Sequence, residues 1–113
     1  MNLNHINLTV TSALETQQFL AKYFGLKPMG KPNDKMSFLT DDQGMILSMF
    51  TAAEVNYPET FHIGFGQETP EKVDEIYRRL KEDGYPVDAP SRQHGSWTFY
   101  FRAPGGFTIE VLC

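Results

Sequence analysis

The sequence is short of cysteine, short of positive charge and free of long apolar runs, and each shortage removes a class of protein. Cys113 is the one cysteine in 113 residues. It has no intrachain partner, so no disulfide framework holds the fold, which favours a reducing compartment over secretion. Ten Lys and Arg against fourteen Asp and Glu give a net charge of -4, the wrong sign for a surface that must neutralise phosphates. Nucleic acid is therefore not an expected partner. The densest basic cluster, Arg78, Arg79 and Lys81, alternates with Asp74, Glu75, Glu82 and Asp83, the pattern of a solvated helix face. No apolar stretch approaches the roughly 20 residues that span a bilayer, and Met1-Asn2-Leu3-Asn4-His5 lacks the basic start and apolar core of a signal peptide. The expectation is a cytoplasmic chain without a membrane partner. What is present, 41% hydrophobic and 13% aromatic residues, suits one domain over 1–113, long enough to bury a core without staples.

Turn residues cut the chain into short elements, and hydrophobic period decides the type of each. His5 to Val10 alternates polar and apolar, as a one-sided strand does. Ser12 caps a helix carrying Leu14, Phe19, Leu20, Tyr23 and Phe24, which Gly25 ends. Strands are predicted around Pro28–Lys31, Met36–Thr40 and Met45–Phe50. The order then repeats. Phe61 to Phe65 alternates, Thr69 and Pro70 open a helix with the stripe Val73, Ile76, Tyr77 and Leu80, and Gly84 closes it. Pro86–Ala89, Ser96–Arg102 and Phe107–Leu112 complete the second set. His5-Ile6 falls on His62-Ile63, Gly25 on Gly84, and Gln43-Gly44 on Gly105-Gly106. The chain thus reads as an internal repeat of βαβββ units, module one about 1–55 and module two about 56–113, each too small to bury its apolar face alone.

Strand alternation sorts the side chains into two sets. Ile6, Leu8 and Val10, Phe61, Ile63 and Phe65, Trp97, Phe99 and Phe101, and Phe107, Ile109 and Val111 form an apolar face for the helices to cover. The opposite face collects His5, Asn7, His62, Thr98, Tyr100 and Glu110, with Gly64 and Gly66 leaving room beside His62. An ordinary solvent face would be rich in Lys, Glu and Arg, so this composition suits a lined cavity. Two imidazoles and a carboxylate on neighbouring strands, His5, His62 and Glu110, can hold one face of an octahedral divalent ion, leaving three positions for substrate or water.

These residues carry a family resemblance across essentially the whole chain. The opening His5-Ile6-Asn7-Leu8-Thr9-Val10, the central Phe61-His62-Ile63-Gly64-Phe65 and the ending Phe99-Tyr100-Phe101-Arg102-Ala103-Pro104-Gly105-Gly106-Phe107-Thr108-Ile109-Glu110 resemble the vicinal oxygen chelate superfamily. That group includes glyoxalases, bleomycin-resistance proteins, fosfomycin-resistance transferases and extradiol dioxygenases. The resemblance implies an α+β fold in which two βαβββ modules pair into a half-open barrel. It also implies a divalent metal on His5, His62 and Glu110, with Fe(II) or Mn(II) favoured over Ni(II) or Zn(II). A small-molecule substrate and a homodimer are implied as well, with the metal site either within one chain or across two.

Within the superfamily the ending resembles extradiol dioxygenases best. There Tyr100 would hydrogen-bond a metal-bound oxygen and His94 would act as acid and base. Asn7, Thr98, Phe38 and Ser48 are the expected substrate contacts. Four-ligand glyoxalases place a carboxylate where the repeat puts Ser48, and a neutral hydroxyl is a weak ligand. Fosfomycin-resistance enzymes share the three ligands and a tyrosine at the Tyr100 position, but use a lysine where this chain has Pro90 and a serine where it has His94. They supply the alternative of a thiol transferase. A non-catalytic ligand-binding protein of the bleomycin-resistance type is the other, and such proteins generally lack the ligand triad that this chain keeps.

Overall fold

A computed structural model describes residues Met1–Cys113. The chain separates into two compact units, Met1–Tyr57 with the turn Pro104–Gly106, and Pro58–Ala103 with Phe107–Cys113. Each has the element order strand, helix, three strands. In the first unit these are β1 (His5–Val10), α1 (Ala13–Phe24), β2 (Lys27–Pro28), β3 (Met36–Thr40) and β4 (Ile46–Thr51). In the second they are β5 (His62–Gly66), α2 (Pro70–Glu82), β6 (Ser91–Gln93), β7 (Ser96–Ala103) and β8 (Phe107–Leu112). The sheets run β1-β4-β3-β2 and β5-β8-β7-β6. In both, the first strand pairs in parallel with the last and the remaining pairs are antiparallel. The α+β class and the repeated βαβββ plan expected from the sequence are those of the structure.

Local chemistry explains the helix limits. Ser12 is extended at φ -151° and its hydroxyl accepts from Glu15 N at 3.2 Å, supplying one of the acceptors that a helix start lacks. Thr69 does the same for Lys72 N at 3.2 Å, with Pro70 in the first turn. At the end of α2 the Gly84 N–H reaches Lys81 O and the Tyr85 N–H reaches Leu80 O. This 6→1 and 5→2 pair needs a left-handed residue, supplied by Gly84 at φ +90°.

The strand expectations shift where proline or a turn intervenes. The strand expected over Pro28–Lys31 shrinks to Lys27–Pro28: Met29 N still donates to Phe38 O at 2.8 Å, and Gly30 then turns the chain away at φ +72°. The strand expected at Pro86–Ala89 lies instead at Ser91–Gln93. Pro86 and Pro90 deny that segment two ladder donors, while the hairpin His94-Gly95, with φ of +51° and +80°, pairs Gln93 with Ser96. Positive φ at both central residues is the requirement of a two-residue type I′ turn. Strands β4 and β5 each begin one residue later than expected. Met45 N donates to Asp41 Oδ1 and Phe61 N to Pro58 O, so both residues belong to turns.

Each unit buries its own apolar set. In the first, Leu8, Val10, Leu39 and Met49 of the sheet pack with Ala13, Leu20 and Tyr23 of α1. In the second, Phe99, Phe107, Ile109 and Val111 pack with Val73 and Leu80 of α2. Strand β1 is a sheet edge, and Tyr57 closes part of it. Its hydroxyl accepts from Thr9 N and donates to Thr9 O, both at 2.7 Å, which covers ladder groups that would otherwise invite another strand. Phe107 is fully buried, so Phe107→Ala should cost about 3–5 kcal/mol. Gln18→Ala on the exposed side of α1 should stay within about 0.5 kcal/mol, both read by urea denaturation.

Candidate metal centre

In the second unit, strand register gathers four of the expected site residues. β5 and β8 pair Gly64 with Glu110 and His62 with Thr108, while β7 and β8 pair Tyr100 with Glu110 and Thr98 with Leu112. His62, Glu110, Tyr100 and Thr98 therefore emerge on one face of the sheet. A Cβ at Gly66 would meet nothing within 4 Å, and one at Gly64 only ordinary contacts from 3.5 Å, so the surface beside His62 is open.

Side-chain geometry makes this a cluster. His62 Nε2 lies 3.4 Å from Glu110 Oε1, and the Tyr100 ring stands edge-on to the imidazole at 5.4 Å and 84°. Thr98, fully buried, donates its hydroxyl proton toward Glu110 Oε2 at 2.8 Å and Val111 O at 3.0 Å. Its hydroxyl is thus committed to the carboxylate rather than presented to a substrate. His62 Nδ1 lies 3.0 Å from Thr60 O. A carbonyl can only accept, so Nδ1 carries a proton, and Nε2 is the ring atom turned to the carboxylate. Between Nε2 and that carboxylate oxygen stands either a second ring proton or a cation.

The fit to a divalent ion rests on that confrontation. An imidazole with its outer nitrogen tied to a carbonyl, beside a carboxylate with one oxygen tied to a hydroxyl, has the form of ligands oriented by their surroundings. His5, in the first unit, repeats the arrangement, since its Nδ1 is 3.1 Å from Asn4 Oδ1, which leaves Nε2 as the ring nitrogen not so engaged. No three His, Cys, Asp or Glu side chains are grouped closely enough to hold an ion; within the second unit His62 and Glu110 are the two that meet. Thr60 acts through its backbone and left no sequence signal. Asn4 could have been found as the amide directly preceding His5.

The remaining expected residues divide between the units. In the first, Asn7 pairs with Ser48 and Ser48 with Phe38, so the three sit side by side, and Asn7 Nδ2 donates to Ser48 Oγ at 2.8 Å. Phe38 is exposed, as are Met36 and Phe50 on the same sheet and Met29 just after β2. His94 is exposed in the β6–β7 turn. Tyr100 lies four residues along β7 from Ser96, where that turn ends, which at strand rise is roughly 13 Å. The structure therefore does not bring His94 to Tyr100.

Partial burial, and after it the hydrogen bond to Glu110 and that carboxylate's negative charge, raise the Tyr100 pKa above the ordinary phenol value of 10.0. Folding thus holds the phenolic proton more tightly than the unfolded chain does. This contribution to stability is complete below the ordinary tyrosine value and is lost as pH rises through the raised one. Glu110→Gln removes the anion, so in metal-free protein the Tyr100 phenol should titrate at lower pH than in wild type. Difference absorbance against the matching Tyr100→Phe chains measures the change, and an unmoved or higher midpoint would contradict the coupling.

Comparison with known proteins places this geometry. The family model described as Glyoxalase/Bleomycin resistance protein/Dioxygenase superfamily matches residues 2–111. A possible glyoxalase from Bacillus cereus is 49% identical, with TM-score 0.93 over 100% of this chain and 99% of that one. Lactoylglutathione lyase from Agrobacterium tumefaciens, 23% identical with TM-score 0.77 over 98% and 92% of the two chains, shares the fold. A trivalent organoarsenical cleaving enzyme from Bacillus sp. (strain MD1) is 31% identical over 84 residues, 74% of this chain and 52% of that enzyme. The matches span 52% and 58% of the curated relatives, little more than half their length. The match from residue 2 to residue 111 and the repeated βαβββ plan together make this chain a member of the glyoxalase/bleomycin resistance protein/dioxygenase superfamily.

Proposed function

We propose that the chain is a divalent-metal-dependent enzyme acting on a small substrate that chelates the ion through oxygen, with His5, His62 and Glu110 as ligands. Ring cleavage of a catechol-like substrate by dioxygen is the reaction that its ending resembles. The observation that carries the reading is the 3.4 Å approach of His62 Nε2 to Glu110 Oε1, a nitrogen and an oxygen of ligand type on groups whose other atoms are already committed to Thr60 and Thr98. A bound Fe(II) or Mn(II) would lower the pKa of substrate oxygens and support oxygen chemistry. Tyr100 keeps its proton well above neutral pH and serves as a hydrogen-bond donor to a substrate oxygen. Tyr100 thus acts as a fixed donor, and His94 is left to the hairpin turn.

Phe38 is exposed beside the hydrogen-bonded pair Asn7 and Ser48, which offers an aromatic surface with a neutral polar contact. Arsenic does not enter the reading. Trivalent arsenic is a soft centre that favours thiolates, and this chain offers one thiol, Cys113.

Purified protein should carry about one divalent ion per functional site by elemental analysis, and His62→Ala and Glu110→Ala should lose tight binding. Unchanged metal content in those variants would remove the ligand assignment. Anaerobic Fe(II) loading followed by catechols and oxygen should give a yellow ring-opened product. Tyr100→Phe should slow turnover by about 100-fold or more if the phenol stabilises developing charge, and Phe38→Ala should raise KM with metal content unchanged. Absence of ring opening together with thiol addition to an epoxide would transfer the assignment to a thiol transferase. Ligand uptake without turnover would make the chain a binding protein.

A further inference from the structure

Glu110 presents its two oxygens to different partners, and the division is the work of one buried hydroxyl. Thr98 is 0% exposed, on the strand beside β8. Its Oγ1 lies 2.8 Å from Glu110 Oε2 and 3.0 Å from Val111 O. Both neighbours are acceptors, so the hydroxyl proton is shared between them and Thr98 can act there only as a donor. A hydroxyl free in solvent would rotate among partners. This one is held by the β7–β8 ladder and by burial, which leaves it one orientation.

We propose that Thr98 is a positioning residue that reserves Glu110 Oε2 and presents Oε1 alone beside His62, making the carboxylate a one-oxygen ligand. This rests on the metal reading above. The consequence is coordination space. A carboxylate free to turn can supply both oxygens to one ion, occupying a position that a chelating substrate needs. With Oε2 tied to Thr98, Glu110 takes one position and the substrate's second oxygen has room. Thr98 was expected to touch substrate. Its burial and its donor-only surroundings give it this indirect role.

The test uses the full chain and Zn(II) as the probe, with no turnover required. Thr98→Val keeps the side-chain shape and removes the hydroxyl, whereas Thr98→Ser keeps the hydroxyl and removes the methyl. By isothermal titration, Thr98→Val should bind Zn(II) about 10- to 100-fold more weakly than wild type, the range for loss of an orienting partner, and Thr98→Ser should remain within about 3-fold. Equal affinity in Thr98→Val overturns the proposal. So does equal weakening in both variants, which would trace the effect to packing. If Thr98→Val fails to fold in a metal-free melt, X-ray absorption on Zn(II)-loaded wild type decides. A single carboxylate oxygen near the ion supports the role, and a two-oxygen carboxylate overturns it. Wild type that binds no Zn(II) removes the metal reading and this role with it. Wild type that binds while Thr98→Val binds equally well removes only this role.

Discussion

A carboxylate whose side chain is 13% exposed must be compensated, because a desolvated anion without partners is costly. Glu110 is such a group, and the polar face of the second unit is organised around satisfying it. Thr98 beneath it, His62 diagonally across β5 and Tyr100 directly opposite on β7 each contribute. The strand register that delivers those three to one spot is in turn set by apolar burial. Phe99, Phe101, Ile109 and Val111 occupy the alternate positions, and a slip of one residue would bury the polar set and expose the apolar one. The core therefore dictates where the chemistry stands.

Register also shows where the two units differ. Asn7, Ser48 and Phe38 occupy, strand for strand, the places of Gly64, Glu110 and Tyr100. Met36 and Phe50, paired across β3 and β4, occupy those of Thr98 and Leu112. Both units start their first strand with a histidine, but where the second has a carboxylate, a donor hydroxyl and a phenol the first has a serine and apolar groups. Met36, Phe38 and Phe50 of that set are exposed. The repeated scaffold thus carries a histidine–carboxylate cluster in one unit and an exposed apolar surface in the other.

Much of the fold was legible because the signals are local. Strict alternation in His-Ile-Asn-Leu-Thr-Val, caps at Ser12 and Thr69, Pro70 in the first turn of a helix and the terminating Gly25 and Gly84 each act within a few residues. The second and sixth strands were misplaced because they are edge strands of two and three residues. Too short to show a period, they are located by their neighbours: the turn at Gly30 in one case, the His94-Gly95 turn in the other. The pairing of His62 with Glu110 was legible as a shared face, but the tie to Thr60 O was not, since a backbone carbonyl has no residue identity.

The sequence by itself determined the βαβββ repeat, the polar set His5, His62, Tyr100 and Glu110, and the absence of a second thiol, because period and composition are properties of the chain alone. Tertiary structure decided what each polar group does. Whether Thr98 meets substrate or Glu110, and whether His94 reaches Tyr100 or turns a hairpin, depends on which strands lie side by side and in what register. Long-range pairing of apolar faces sets that register, and no window of sequence contains it.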